Sequence, residues 1–114
     1  MGLRRSREET IAVSGSAEVW FRNFRRALEA EGFSRIEVSP QARTMRAVFW
    51  KSRVRGDLEV TFLETDRVTN VVARATAEIL NLDALIWNPA AVILTALKQA
   101  INRCLTADFT RANT

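Results

Sequence analysis

The side chains best suited to chemistry in this 114-residue chain are two carboxylate pairs, Asp57 with Glu59 and Glu64 with Asp66. A spacing of two on an extended strand points both members of a pair to the same side, so two carboxyls could share a proton-transfer task or hold a divalent cation. Solvated hairpin ends need such charges in any case, and that is the expected use of both pairs. The rest of the catalytic repertoire is thin. The chain has no histidine, which removes imidazole bases, histidine-activated Ser and Cys nucleophiles, and histidine metal sites. Its single cysteine, Cys104, falls on the apolar side of a helical pattern and is expected to be a small buried hydrophobe. There is no glycine-rich phosphate loop; Gly15 and Gly32 are accounted for by a turn and a helix cap. No enzymatic activity, cofactor or metal is expected.

Binding is the better supported class. The formal charge is +4 and it is uneven: about twelve basic against about six acidic residues up to Arg55, then about five against about seven. Strand alternation sets Arg35, Arg46, Val48, Trp50 and Arg74 on the side of a sheet away from its core. These residues form the candidate binding face, since Trp and Arg dominate interface energetics. The leading expectation is a non-catalytic binding or assembly module that uses this face for a protein partner or a homo-oligomer. Two alternatives stand beside it. One is nucleic-acid binding through the basic N-terminal half, which would show a steep salt dependence. The other is a small apolar ligand carried between the sheet and the C-terminal helix, with Phe49, Phe62, Trp20 and Trp87 as walls.

The elements that must position these residues form one domain. Length allows a single core without disulfides or metals, and 47% hydrophobic with 26% charged residues is globular rather than disordered usage. Residues 1–8 are expected to be a flexible basic tail, 9–107 a single α+β domain, and 108–114 a frayed C-terminus. Thr10 to Ser14 alternates as a strand. Ser16 is placed as an N-cap, with Glu18 in the first turn of a helix from about Ala17 to Glu31 whose apolar stripe is Trp20, Phe21, Phe24, Ala27 and Leu28. Four candidate strands follow: Phe33–Val38, Thr44–Ser52, one from Leu58 after a bend or bulge at Arg55-Gly56-Asp57, and Val68–Glu78 after a turn at Glu64-Thr65-Asp66. Asn88 as N-cap and Pro89 at the first helical position then open a core-facing helix to about Leu105. The implied architecture is a two-layer α+β sandwich, a five-stranded antiparallel sheet with two helices on one face.

The most apolar stretch, Ala77 to Leu94, could belong to a membrane span of about nineteen residues from Ile79 to Leu97, but Asn81, Asp83 and Asn88 would lie within it. It is expected instead to be packing, with Leu80, Leu82, Leu85, Ile86 and Trp87 in a crossover that closes one end of the core. Met1-Gly2-Leu3-Arg4-Arg5-Ser6 fits the loose pattern for N-myristoylation, and the modification is not expected. With one cysteine and no apolar leader, a cytoplasmic location is the default.

The segments Thr10-Ile-Ala-Val-Ser-Gly-Ser-Ala-Glu-Val-Trp20 and Ala27-Leu-Glu-Ala-Glu-Gly-Phe33, together with Met45-Arg-Ala47 and the late Trp87, resemble small uncharacterised bacterial domains. Those domains share the strand, helix, four-strand, helix order of one half of the TATA-binding protein. The Val-Ser-x-Ser-Ala-Glu-Val-Trp segment is also similar to the start of START-like helix-grip lipid carriers. Either resemblance implies fold, and neither transfers a functional residue.

Overall fold

Alternation on the strands and a helical stripe on each helix converge on one core. The computed structural model describes residues 3–51, 53–79 and 88–112. Its elements are β1 (Leu3–Ser14), α1 (Ala17–Ala30), β2 (Phe33–Ser39), β3 (Thr44–Lys51), β4 (Val54–Thr65), β5 (Val68–Ile79) and α2 (Pro89–Ala112). The strands form a single antiparallel sheet in the order β1-β5-β4-β3-β2. Both helices pack on the same face of it, giving the expected α+β sandwich.

The start of α1 is fixed from several sides. Gly15 takes φ +111, and its amide donates to the Arg67 carbonyl. The Ser16 hydroxyl accepts from Val19 N, and Glu64 Oε1 accepts from Ala17 N at 2.7 Å, so two amides the helix leaves unpaired are satisfied, one by the expected cap and one from β4. The Trp20 indole donates to the Ser14 carbonyl. Behind these anchors Ala17, Trp20, Phe24, Ala27 and Leu28 are buried, and Phe24 meets Phe62 of β4 edge-on at 5.3 Å between centroids. Gly32, at φ +99, releases the chain into β2.

Under α2 the sheet is made of small residues. Val71, Ala73, Ala75 and Ala77 of β5 are buried, as are Ala90, Ile93, Leu94, Leu97 and Ala100 of α2. The short side chains of β5 leave room for the larger Ile93, Leu94 and Leu97 of α2 to pack against the sheet. Asn88 Oδ1 accepts from Ala90 N, as an N-cap should. Two ion pairs clasp the helix along its length, Lys98 to Glu9 of β1 at 2.9 Å and Arg103 to the buried Glu31 at the end of α1.

Three expected boundaries move. β1 begins at Leu3, so Arg4, Arg5 and Arg7 are strand residues opposite Glu78, Ala77 and Ala75 rather than a tail. Backbone pairing to β5 holds this stretch, and a strand with polar residues on both sides gives no alternation to recognise. Arg55-Gly56-Asp57 is continuous strand rather than a bend. Gly56 serves close approach, since a Cβ there would lie 2.2 Å from the Thr76 carbonyl oxygen and 2.8 Å from Ile93 Cδ1. The final helix runs to Ala112, past the expected end near Leu105, because no Gly or Pro interrupts residues 105–112. The turn between β4 and β5 is also tighter than expected: Thr65 pairs with Val68, and Asp66 and Arg67 both take positive φ, the backbone of a type I′ hairpin. The expected crossover from Leu80 to Trp87 lies outside the described residues.

Candidate functional site

The antiparallel register lays charges in a row across the outer face of the sheet. Glu37 stands opposite Arg46, Arg46 opposite Glu59, Glu59 opposite Arg74, and Arg74 opposite Glu8. Signs alternate over all five strands, which is the favourable arrangement for cross-strand neighbours. One of these contacts closes tightly, Arg46 Nε to Glu59 Oε2 at 3.0 Å. Arg35 and Arg74 have no ion pair or hydrogen-bonded side chain among the described residues. The row borders an open groove of about 500 Å³ that brings together Arg35, Arg46, Val48 and Arg74, with Glu37, Asp57 and Glu59 beside them.

Arg35 lies on the outer face, where strand alternation sets it, but the backbone that carries it is irregular. Regular alternation would place Arg35 and Glu37 on one face together. Both do line the groove, although the register of β2 against β3 shifts between Ser34 and Glu37, so that Arg35 and Ile36 together oppose a single residue, and Arg35 sits at φ +49. That is a β-bulge, which re-aims one side chain while the strand continues.

Trp50 is not part of the groove lining. It is 67% exposed, whereas its neighbour Phe49 is 1% exposed, as their opposite strand parity requires. Trp50 stands opposite Arg55, whose guanidinium carbon lies 4.7 Å from the indole centroid. Arg55 and Arg4 both approach Glu78, at 3.9 and 3.8 Å, and Arg4 also approaches Asp57 at 3.8 Å. The five candidate residues thus fall into two places, a charged groove at mid-sheet and an aromatic corner beside the β3–β4 turn.

The carboxylate pairs are occupied. Asp57 and Glu59 do share the outer face, but Arg4 and Arg46 respectively approach them. Glu64 caps α1 and Asp66 shapes a turn. Among the described residues no group of three or more His, Cys, Asp or Glu side chains is placed to hold a metal ion. No helix among them is long and apolar enough to cross a membrane.

The interior between sheet and helices is apolar. Phe33 and Phe49 meet at 5.0 Å between centroids with their rings tilted, and Met45, Ala47, Val54, Leu58 and Phe62 complete the sheet's inner surface. Of the proposed ligand walls, Phe49, Phe62 and Trp20 are buried here, and Trp87 lies outside the described residues. Every buried side-chain nitrogen and oxygen among the described residues has a partner. A guest in this layer would therefore be recognised by shape and apolar contact.

No protein-family model and no curated protein matches the sequence. Solved structures do match the fold. The TTHA0849 protein of Thermus thermophilus superposes with a TM-score of 0.64 at 14% identity, over 90% of this chain and 99% of its own. Norcoclaurine synthase from Thalictrum flavum, solved in complex with dopamine and hydroxybenzaldehyde, gives 0.59 at 9% identity, over 93% of this chain and 88% of its own. The Zhui aromatase/cyclase from Streptomyces sp. R1128 gives 0.56 at 13% identity, over 90% and 96%. These proteins have the START-like helix-grip fold, so the likeness carried by the Val-Ser-x-Ser-Ala-Glu-Val-Trp segment is the better supported of the two resemblances. They also correct the expectation of no enzymatic activity. A synthase and an aromatase/cyclase share this fold, and an inventory that stops at missing imidazoles does not exclude catalysis in an interior built from other residues.

Proposed function

We propose that this chain is a helix-grip protein that binds a small, flat, apolar or aromatic molecule between the sheet and α2. The observation that carries this reading is the combination of the shared fold with an apolar, aromatic-rich layer under the helices, formed by Phe33, Phe49, Phe62 and Trp20. The clasp of α2 fits it. The helix rests on the alanine stripe of β5 and is tied at its sides by Lys98–Glu9 and Arg103–Glu31. The sheet side of this contact is small, so α2 can lift from β5 without unthreading large strand side chains. Native mass spectrometry of the purified chain, followed by thermal melts with a series of aromatic aldehydes and naphthols, tests the reading. A ligand at about 100 times its Kd should add about 2.7 kcal/mol of stability, several degrees in Tm. No bound mass and an unmoved Tm across the series would end it.

A second reading places a partner protein on the outer face, at Arg35, Arg46, Val48 and Arg74. What favours it is the pair of guanidinium groups, Arg35 and Arg74, left without ion partners in a groove. The charge row bears on the kind of partner. Its order, Glu-Arg-Glu-Arg-Glu, is the same from either end, so a second copy laid over the whole row by a two-fold axis through the central Glu59 would set like charge against like. A different protein with the opposite order fits better. Sedimentation of the isolated chain should then show a monomer.

A further inference from the structure

The aromatic corner has a use that neither the groove nor the interior requires. β3 and β4 are joined by a two-residue turn, Lys51 pairing with Val54, and Arg53 takes φ +63 at its tip. Lys51, Arg53 and Arg55 are exposed around this turn, with Trp50 beside them. Arg4 joins the group from β1, across Glu78 and Asp57. Those two carboxylates answer Arg4 and Arg55, while Lys51 and Arg53 have no ion partner among the described residues. The Lys51 stem lies against Gly32, where an added Cβ would come 3.2 Å from Lys51 Cδ, so its charge is carried on the helix side of the sheet while Arg55 and Trp50 occupy the other. The tip thus presents cations on both sides and the largest exposed apolar ring among the described residues.

We infer that this tip docks on an anionic phospholipid bilayer surface. A Trp ring beside Lys and Arg side chains is the composition that settles at the boundary between headgroups and acyl chains, with the ring at the interface and the cations among the phosphates. The shape agrees, because a two-residue turn projects where a nucleic-acid strand would need a track. The outer groove that could supply such a track carries Glu37, Asp57 and Glu59, and Arg55 already covers one face of the Trp50 ring. The position agrees as well. The tip lies at the end of the sheet where β5 finishes, since Gly56 pairs with Ala77, and where the first turns of α2 lie over Gly56 through Ile93. A protein attached by this tip holds the end of its helix-sheet layer where α2 begins against the membrane. The docking stands on the surface alone and does not depend on the interior taking a ligand.

The test is flotation of the purified chain with vesicles of phosphatidylcholine alone or mixed with phosphatidylglycerol, without added ligand. Partitioning should be at least about tenfold stronger on the anionic vesicles and should fall steeply on raising the salt. Lys51→Gln with Arg53→Gln, at two exposed positions, should weaken it about 25-fold, at roughly fivefold for each cation near the surface. Trp50→Ala should weaken it further without changing the charge. Arg22→Gln with Arg26→Gln, on the exposed side of α1, should leave it within about twofold. Equal partitioning on both vesicle types, or an equal loss from the α1 pair, overturns the proposal. So does tighter binding of a single-stranded oligonucleotide than of anionic vesicles at the same salt, which would assign the tip to nucleic acid.

Discussion

The inner and outer faces of the sheet are made by alternate residues of the same strands, yet they follow different rules. On the inner face volume decides. Residues are small where α2 lies, at Gly56, Ala73, Ala75 and Ala77, and large at Phe49, Leu58 and Phe62, the last of which meets Phe24 of α1. On the outer face volume hardly matters and sign does, with Glu37, Arg46, Glu59, Arg74 and Glu8 alternating across the strands. One face is a packed solid that fixes where the helices sit. The other is a solvated surface whose pattern leaves room for recognition without altering the fold.

The sharpest way to test that contrast is at adjacent residues of β3. Phe49→Ala should cost about 3–5 kcal/mol, the usual penalty for truncating a buried Phe, while Trp50→Ala should cost less than about 1 kcal/mol, the worth of an exposed cation–π contact. Urea denaturation of the two variants checks it, and equal losses would show that the faces are not distinct. Phe24→Ala, deep under α1, belongs with Phe49 in size.

A smaller loss is expected at Gly56, where the inner-face rule becomes one of backbone approach. Gly56→Ala pushes a Cβ into the Thr76 carbonyl and Ile93, and should cost about 1–3 kcal/mol as overpacking. Ala75→Gly, by contrast, should show only the ordinary cost of a glycine in a strand. Melting curves that place Gly56→Ala level with wild type would mean that α2 sits less tightly on β4 than this contact requires.

The smallest effect lies on the outer face. A double-mutant cycle on Arg46 and Glu59 should return about 0.2–1 kcal/mol, shrinking with salt, as exposed pairs do. A coupling several times larger would make the charge row structural and weaken its reading as a surface kept for a partner.

Much of this architecture was legible in the residues. The order of elements, the Ser16 and Asn88 caps, the burial of Phe49 and the exposure of Trp50 all follow from short-range physics: periodicity, capping chemistry and the parity of an extended chain. The misses share a cause. Leu3 to Glu9 becomes strand because β5 offers it backbone partners, β2 carries a bulge at Arg35 and Ile36 that only its pairing with β3 creates, and Gly56 is glycine because α2 presses on it. None of these is visible in local alternation, since each is imposed by an element distant in sequence.

The same division holds for function. The sequence by itself determined the residue inventory, the parity that separates Arg46, Val48 and Trp50 from Met45, Ala47 and Phe49, and the absence of imidazole. Tertiary structure alone decided that Arg35, Arg46 and Arg74 share a groove, that Trp50 belongs with Arg55 and the β3–β4 tip, and that Asp57 and Glu59 face guanidinium groups rather than an open site. It also exposed the weakest inference from composition. Missing histidines removed particular chemistries, but the fold is one that catalysts share. Side-chain type is a property of the chain, whereas what a side chain can do depends on the partners, dielectric and space that distant segments bring to it.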